Sequence, residues 1–133
     1  MPEMIETALR QSLAELTGIP VYPLLLPPDC GEGVTYQRIS DPRLEDGLVV
    51  TTLVRARFQV TFYLVGDYPG ILALDKKVRQ AWESVVHDKL GGLHVQTVQR
   101  AGIQQDTEVL NDGRRRYRLA RDFIITYSEA DEP

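Results

Sequence analysis

Residue types that commonly catalyse reactions or bind metals are few in this chain, and they do not cluster. The histidines, His87 and His94, are too far apart to form an i, i+4 pair, and no cysteine or carboxylate joins them at metal-ligand spacing. The single cysteine, Cys30, has no identifiable activating base and excludes a disulfide within the chain. We therefore predict a protein that is not an enzyme, with no catalytic residue, metal site or cofactor.

The glycine motifs do not change this prediction. Gly31-Glu32-Gly33 lacks the further glycine and the strand-to-helix setting of a phosphate-binding loop. Gly91-Gly92 is explained as the end of a helix, which places His87 in the last helical turn and His94 at the start of the next strand. Both histidines are expected to be exposed.

Arginine is the functional residue type that does cluster. Arginines crowd the start of the last predicted strand and occupy one face of the central strand; they are Arg114, Arg115, Arg116, Arg118 and Arg121, with Arg55 and Arg57. If the two strands are neighbours, the guanidinium groups form one basic surface that suits carboxylates, phosphates or protein interfaces. The alternative for any single arginine is a solvated strand edge, where charge discourages aggregation.

For the cluster as a whole, a binding surface towards acidic protein or DNA is favoured. Nearby carboxylates argue against DNA because they repel phosphates; they are Asp106, Glu108, Asp112 and Asp122. Strand parity puts Arg55 and Arg57 on one face of the central strand. By the same parity, Arg114, Arg116 and Arg118 share one face of the last strand. The candidate interface residues are Arg55, Arg57, Arg114, Arg116 and Arg118.

Length and composition indicate one globular domain. The chain has 133 residues, of which 43% are hydrophobic and 26% charged, and its formal net charge is −4. No apolar run approaches the roughly 20 residues that span a bilayer, and no signal peptide is expected at the acidic, amphipathic N-terminus. We predict one domain over residues 1–133 with a flexible acidic tail over 128–133, and no membrane association.

The strongest structural signal is Thr51–Val65, in which apolar and polar residues alternate from Arg55 to Leu64. Its apolar positions are Ala56, Phe58, Val60, Phe62 and Leu64, and its polar positions are Arg55, Arg57, Gln59, Thr61 and Tyr63. Because successive strand side chains point to opposite faces, this pattern predicts a central strand with one buried face and one wet, basic face.

Two amphipathic helices are predicted. The first spans Glu3–Thr17, with apolar residues at helical spacing, and ends at Gly18. The second begins after Asp67 as N-cap, tolerates Pro69 in its first turn, and extends to about Leu90.

Further strands complete the expected sheet. They are Val21–Pro23, which we place at an edge because proline is tolerated there, Gly33–Ser40, Leu93–Ile103 and Arg114–Tyr127. Gln104–Gly113 is predicted as a polar connection with a turn at Asn111-Asp112-Gly113. Arg121 interrupts the apolar face of the last strand, so we expect a bulge, a strand end or a paired arginine there.

The segment Asp41–Gly47 is longer than a tight hairpin needs, which predicts a projecting loop that becomes ordered on assembly. Its candidate contact residues are Asp41, Arg43, Glu45 and Asp46. The full element order predicts an α+β fold: a two-layer sandwich in which two helices pack on one face of a mostly antiparallel sheet of four to five strands.

The order of these motifs resembles the tail-completion, or lambda-like tail-terminator, proteins of phages and prophages. The matching pieces are, in chain order, the N-terminal amphipathic helix, Val21-Tyr22-Pro23, a proline-rich loop, Val34–Ser40, Arg55–Tyr63, the second helix, Tyr117-Arg118 and Asp122–Tyr127. The resemblance covers about the whole chain, although its motifs are structural rather than catalytic. The run Arg114–Arg116 is heavier than the family pattern.

This resemblance implies a non-enzymatic minor tail protein that forms a ring, commonly a hexamer, on the head-proximal end of the tail tube. Such a ring ends tube polymerisation and joins the head, so the implied partners are further copies of the chain, the major tail-tube protein and the head-tail connector. DNA would pass through the ring without specific binding. The implied location is the virion tail, with host cytoplasm before assembly. Another connector or neck protein, or a nucleic-acid-binding module, remains an alternative.

Overall fold

The predicted central strand lies in the middle of a sheet in the computed structural model, which describes residues 4–46 and 49–131. It is strand β4, Val49–Val65, with β2, Gly33–Ser40, on one side and β7, Arg115–Ser128, on the other. Phe58, Val60 and Phe62 are fully buried, whereas Arg55 is exposed, so the two predicted faces are confirmed.

The sheet is larger than predicted. Over the described residues it has seven strands, which run in the order β1-β2-β4-β7-β6-β5, with β3 also paired to β4. The remaining strands are β1, Val21–Pro23, β3, Arg43–Asp46, β5, Val86–Leu90, and β6, Leu93–Val109. Strand β1 is parallel to β2 and the other pairs are antiparallel.

The predicted α+β class with two helices is confirmed, but the simple two-layer sandwich is wrong, because the mixed sheet is larger than predicted and curled. Helix α2, Tyr68–Glu83, packs over β4, β6 and β7, and helix α1, Ile5–Thr17, packs on α2 and contacts both β1 and β5. The Trp82 indole N–H donates to the Ser12 hydroxyl at 2.8 Å, which joins the helices over the core.

Local signals set the end of α1 and the start of α2 as expected. Helix α1 ends at Gly18, which has a φ of 70°. The Asp67 side chain accepts a hydrogen bond from the Gly70 N–H at 2.8 Å, so it caps α2, with Pro69 in the first turn.

Helix α2 is shorter than predicted, and β5 replaces its last part. Gly91-Gly92 is the two-residue turn of the β5–β6 hairpin, between the paired residues Leu90 and Leu93, rather than a helix stop. His87 consequently lies on β5, not in a helical turn, with a φ of 48°.

Two predicted connections are also strands. The expected projecting loop at 41–47 contains β3, which pairs with the start of β4; Gly47 and the side chains of Glu45 and Asp46 lie outside the described structure. Strand β6 continues to Val109, so the polar connection shrinks to the turn at Asn111–Gly113. After β7, Glu129–Asp131 forms a short 3-10 helix.

We expect Gly91→Ala to destabilise the fold more than Gly113→Ala. Both glycines have positive φ, 61° and 87°, which costs an L-residue about 1–2 kcal/mol. A Cβ at Gly91 would also overlap the backbone of Ala8, whereas nothing lies within 4 Å of the same atom at Gly113. The overlap should cost about 1–3 kcal/mol more. Urea denaturation of both variants measures the difference; equal losses would contradict this close approach.

Candidate interaction surface

The polar face of the sheet crosses β2, β4, β7 and β6. Gln37, Gln59 and Asp122 lie opposite one another across three of these strands. Asp122 accepts from Arg57 at 2.9 Å and from the Gln59 amide at 3.2 Å. Sequence parity therefore placed Arg57 on the correct face, but the structure adds a carboxylate from the same chain.

The β6–β7 pair continues this face as a ladder of opposite charges. Arg118 lies opposite Asp106 and donates to both of its oxygens at 2.8–3.1 Å. Arg116 lies opposite Glu108 and forms an ion pair with it. These contacts explain why polar residues continue β6, because each carboxylate has a guanidinium group directly across the strand pair.

The ladder has electrostatic consequences. The hydrogen bond to Asp106 raises the pKa of Arg118. In the adjoining turn, the backbone N–H and then the side chain of Arg114 lower the pKa of Asp112. The guanidinium carbon of Arg116 also stands 5.2 Å from the centre of the Tyr63 ring, a cation–π distance.

The predicted arginines are therefore brought onto one polar side, with their charges mostly matched within the chain. Arg57, Arg114, Arg116 and Arg118 have carboxylate partners. Within the described ranges, Arg55 shows no ion pair. With Arg57 it lines a shallow pocket of about 210 Å³, whose other lining residues are Ser40, Pro42 and Ile124.

Arg121 points to the helix side instead. It forms a bidentate ion pair with Asp75 of α2, with both nitrogen–oxygen distances at 3.0 Å, and Asp75 also accepts from Arg79 at 3.0 Å. A bulge in β6 lies opposite, between Arg100 and Ile103. The expected paired arginine is confirmed. Sequence reasoning missed its partner, since Asp75 occurs in an otherwise ordinary helical pattern.

The residues considered for catalysis remain apart. His87 and His94 are exposed on β5 and β6, and the Cys30 thiol lies 3.4 Å from the Tyr22 hydroxyl. In the part of the chain that the structure describes, no group of histidine, cysteine or acidic residues could hold a metal ion. None of the described helices is both long and apolar enough to cross a membrane.

No protein-family model and no curated protein matches the chain. Among solved structures, a chain described as "Virion of native gene transfer agent (GTA) particle" has a TM-score of 0.61 and 18% identity, covering 92% of this chain and 94% of that one. A second solved chain, 16% identical over 92% of this chain and 96% of its own, has a TM-score of 0.41. At these identities the first likeness shows a shared fold, and the second carries no argument.

Proposed function

We propose that this chain is a structural, non-enzymatic protein of a phage-like virion, and specifically a tail-completion protein. The observation that carries the proposal is the shared fold with the gene transfer agent virion chain, which extends over 92% of this chain and 94% of the other. In this role the chain forms a ring that caps the tail tube, ends its polymerisation and presents a surface to the head.

The polar face supports contact with protein more than contact with DNA. Arg57, Arg116 and Arg118 each hold a carboxylate of their own chain, which lowers the positive charge available to phosphates. Alternating charges across two strands instead suit a protein surface with its own alternating charges, where complementarity sets register and specificity. The partners in this proposal are neighbouring copies, the tail-tube protein and the head-tail connector.

The deletion phenotype tests the function. In particles that lack this protein, electron microscopy should show overlong tail tubes or tails without heads, and supplying the chain should restore a uniform length. Uniform, head-joined tails in its absence would contradict tail completion. If the isolated chain instead binds DNA with an affinity that falls steeply with salt, the nucleic-acid-binding alternative is favoured.

The arginines provide a sharper prediction. Arg57→Glu and Arg116→Glu should leave the isolated chain folded, because partly exposed ion pairs contribute roughly 0–1 kcal/mol. The same variants should impair tail completion, because they reverse charge on the proposed contact surface. Lys76→Glu, an exposed charge reversal on α2, is the matched control and should complete tails normally.

The decisive comparison is melting temperature against tail length in each variant. Normal tails from both arginine variants would show that the polar face is not part of the interface. Arg55→Glu then separates intrachain pairing from partner binding, because within the described ranges Arg55 has no ion pair to lose.

A further inference from the structure

The outer edge of β6 is open over residues 103–109. Strand β5 pairs only with the first part of β6, up to Thr97, and no strand in the described ranges covers the rest. This open part contains no proline or lysine, and its charged residues, Asp106 and Glu108, are paired with Arg118 and Arg116 of β7. Its side chains Ile103 and Val109 are 45% and 63% exposed.

The backbone of this edge can accept another strand. The Leu110 N–H donates to the Arg114 carbonyl, so Leu110 points its polar groups towards β7. Antiparallel pairing alternates along the strand, and therefore Gln105, Thr107 and Val109 direct their backbone N–H and C=O groups outwards. Unpaired groups in that arrangement form a template for strand addition.

The opposite edge of the sheet carries a second exposed apolar corner. Strand β1 ends at Pro23, and the Leu25 N–H then donates to the Pro23 carbonyl at 2.7 Å. This three-residue turn holds Leu24 at a φ of 65°, a conformation strained for leucine. As a result Leu24 and Leu25 are 67% and 74% exposed.

Ile103 and the Leu24-Leu25 corner lie at opposite ends of one row of paired residues that crosses the sheet. Pro23 lies opposite Tyr36, which leads through Val60 and Arg121 to Ile103. A second copy placed beside the first without rotation about the sheet normal would thus bring its Leu24-Leu25 corner against Ile103. Strand polarity also agrees, since successive pairings make β1 antiparallel to β6.

Oppositely charged residues also lie on these two edges, away from the apolar corners. Arg43 of β3 lies opposite Val54. On the other edge, extending the register from Thr97 places Asp88 of β5 within about one residue of that row. Both side chains are exposed. Arg43 is only loosely paired within its own chain, at 3.7 Å from Glu129, and Asp88 makes no ion pair among the described residues. One edge therefore offers an apolar corner above a cation, and the other an open strand with exposed Ile103 above an anion.

We propose that copies of this chain associate head-to-tail through these two edges, with the open edge of β6 receiving the Leu24-Leu25 corner of the next copy. The contact deepens the proposed function, because a ring requires two different and complementary patches on each subunit. It places Asp88 of one copy beside Arg43 of the next.

Disulfide trapping tests this contact. In a Cys30→Ser background, the double variant Leu25→Cys/Ile103→Cys should give a ladder of covalent oligomers when the concentrated protein is oxidised. Each single variant should stay monomeric, and a mixture of the two should stop at covalent dimers, because each chain then carries only one of the two joined patches. Leu25→Cys/Leu72→Cys, with an exposed residue of α2, is the matched control and should give no ladder.

A monomeric double variant would overturn the proposal, and efficient dimerisation of either single variant would replace it with a symmetric contact. The charge pair gives a second measurement: Arg43→Asp and Asp88→Arg should each reduce the ladder, and the two together should restore it. Rings on tail ends without the ladder would refute this contact and leave the proposed function intact. A ladder together with normal tails in the deletion strain would support this contact and refute the proposed function.

Discussion

Phe58→Ala should lower the free energy of unfolding by about 3–5 kcal/mol, because it removes a large buried side chain and leaves a cavity. Phe58 is fully buried in the middle of β4, directly opposite Phe123 of β7. The Arg38 guanidinium carbon stands 5.4 Å from the centre of its ring, so that contact would be lost as well. Phe62→Ala, at another fully buried position of the same strand, should cost a similar amount.

Urea denaturation followed by circular dichroism measures this loss. Leu72→Ala is the control, since Leu72 is 39% exposed on α2 and its truncation should cost no more than about 0.5 kcal/mol. A loss below about 1 kcal/mol for Phe58→Ala would mean that the face of β4 covered by α2 is not the centre of the core.

The parts of the fold that sequence predicted correctly are those with strong local signals. The alternation in β4 extends over a long strand, and a one-residue shift would move Phe58 and Phe62 together to the polar face. Gly18 and Asp67 act through their own conformations and nearest neighbours, so their roles as helix end and cap could be predicted without the tertiary structure.

The parts that sequence missed depend on residues distant in the chain. The second half of β6 has no apolar alternation, because its carboxylates are matched by Arg116 and Arg118 across the sheet rather than by a buried face. Gly91-Gly92 is compatible with both a helix stop and a hairpin turn, and only the pairing of Leu90 with Leu93 distinguishes them.

The candidate site was predicted in part for the same reason. Strand parity is a local property, and it placed Arg57 on the polar face. The carboxylate that it contacts belongs to Asp122 of β7, and this pairing can be predicted only when the register between two distant strands is known. Burial of Arg121 with Asp75 likewise requires α2 to lie over β7, which no spacing in the sequence reveals.

Asp75→Ala should destabilise the chain by about 3–5 kcal/mol, although it removes only a small polar side chain. Asp75 is 3% exposed and is the carboxylate partner of both Arg121, which is 8% exposed, and Arg79. Without Asp75 the Arg121 guanidinium would remain buried without its partner, and the cost of desolvating that charge would fall on the folded state.

Replacing both partners separates this cost from simple loss of packing. Asp75→Leu/Arg121→Met replaces the ion pair by apolar side chains, and such replacements of buried pairs are often neutral or stabilising. We therefore expect the double variant to be more stable than Asp75→Ala by urea denaturation. If the double variant is as unstable as the single one, shape rather than charge determines the loss. If Asp75→Ala costs less than about 1 kcal/mol, Arg121 reaches water once its partner is removed, as partly exposed arginines do.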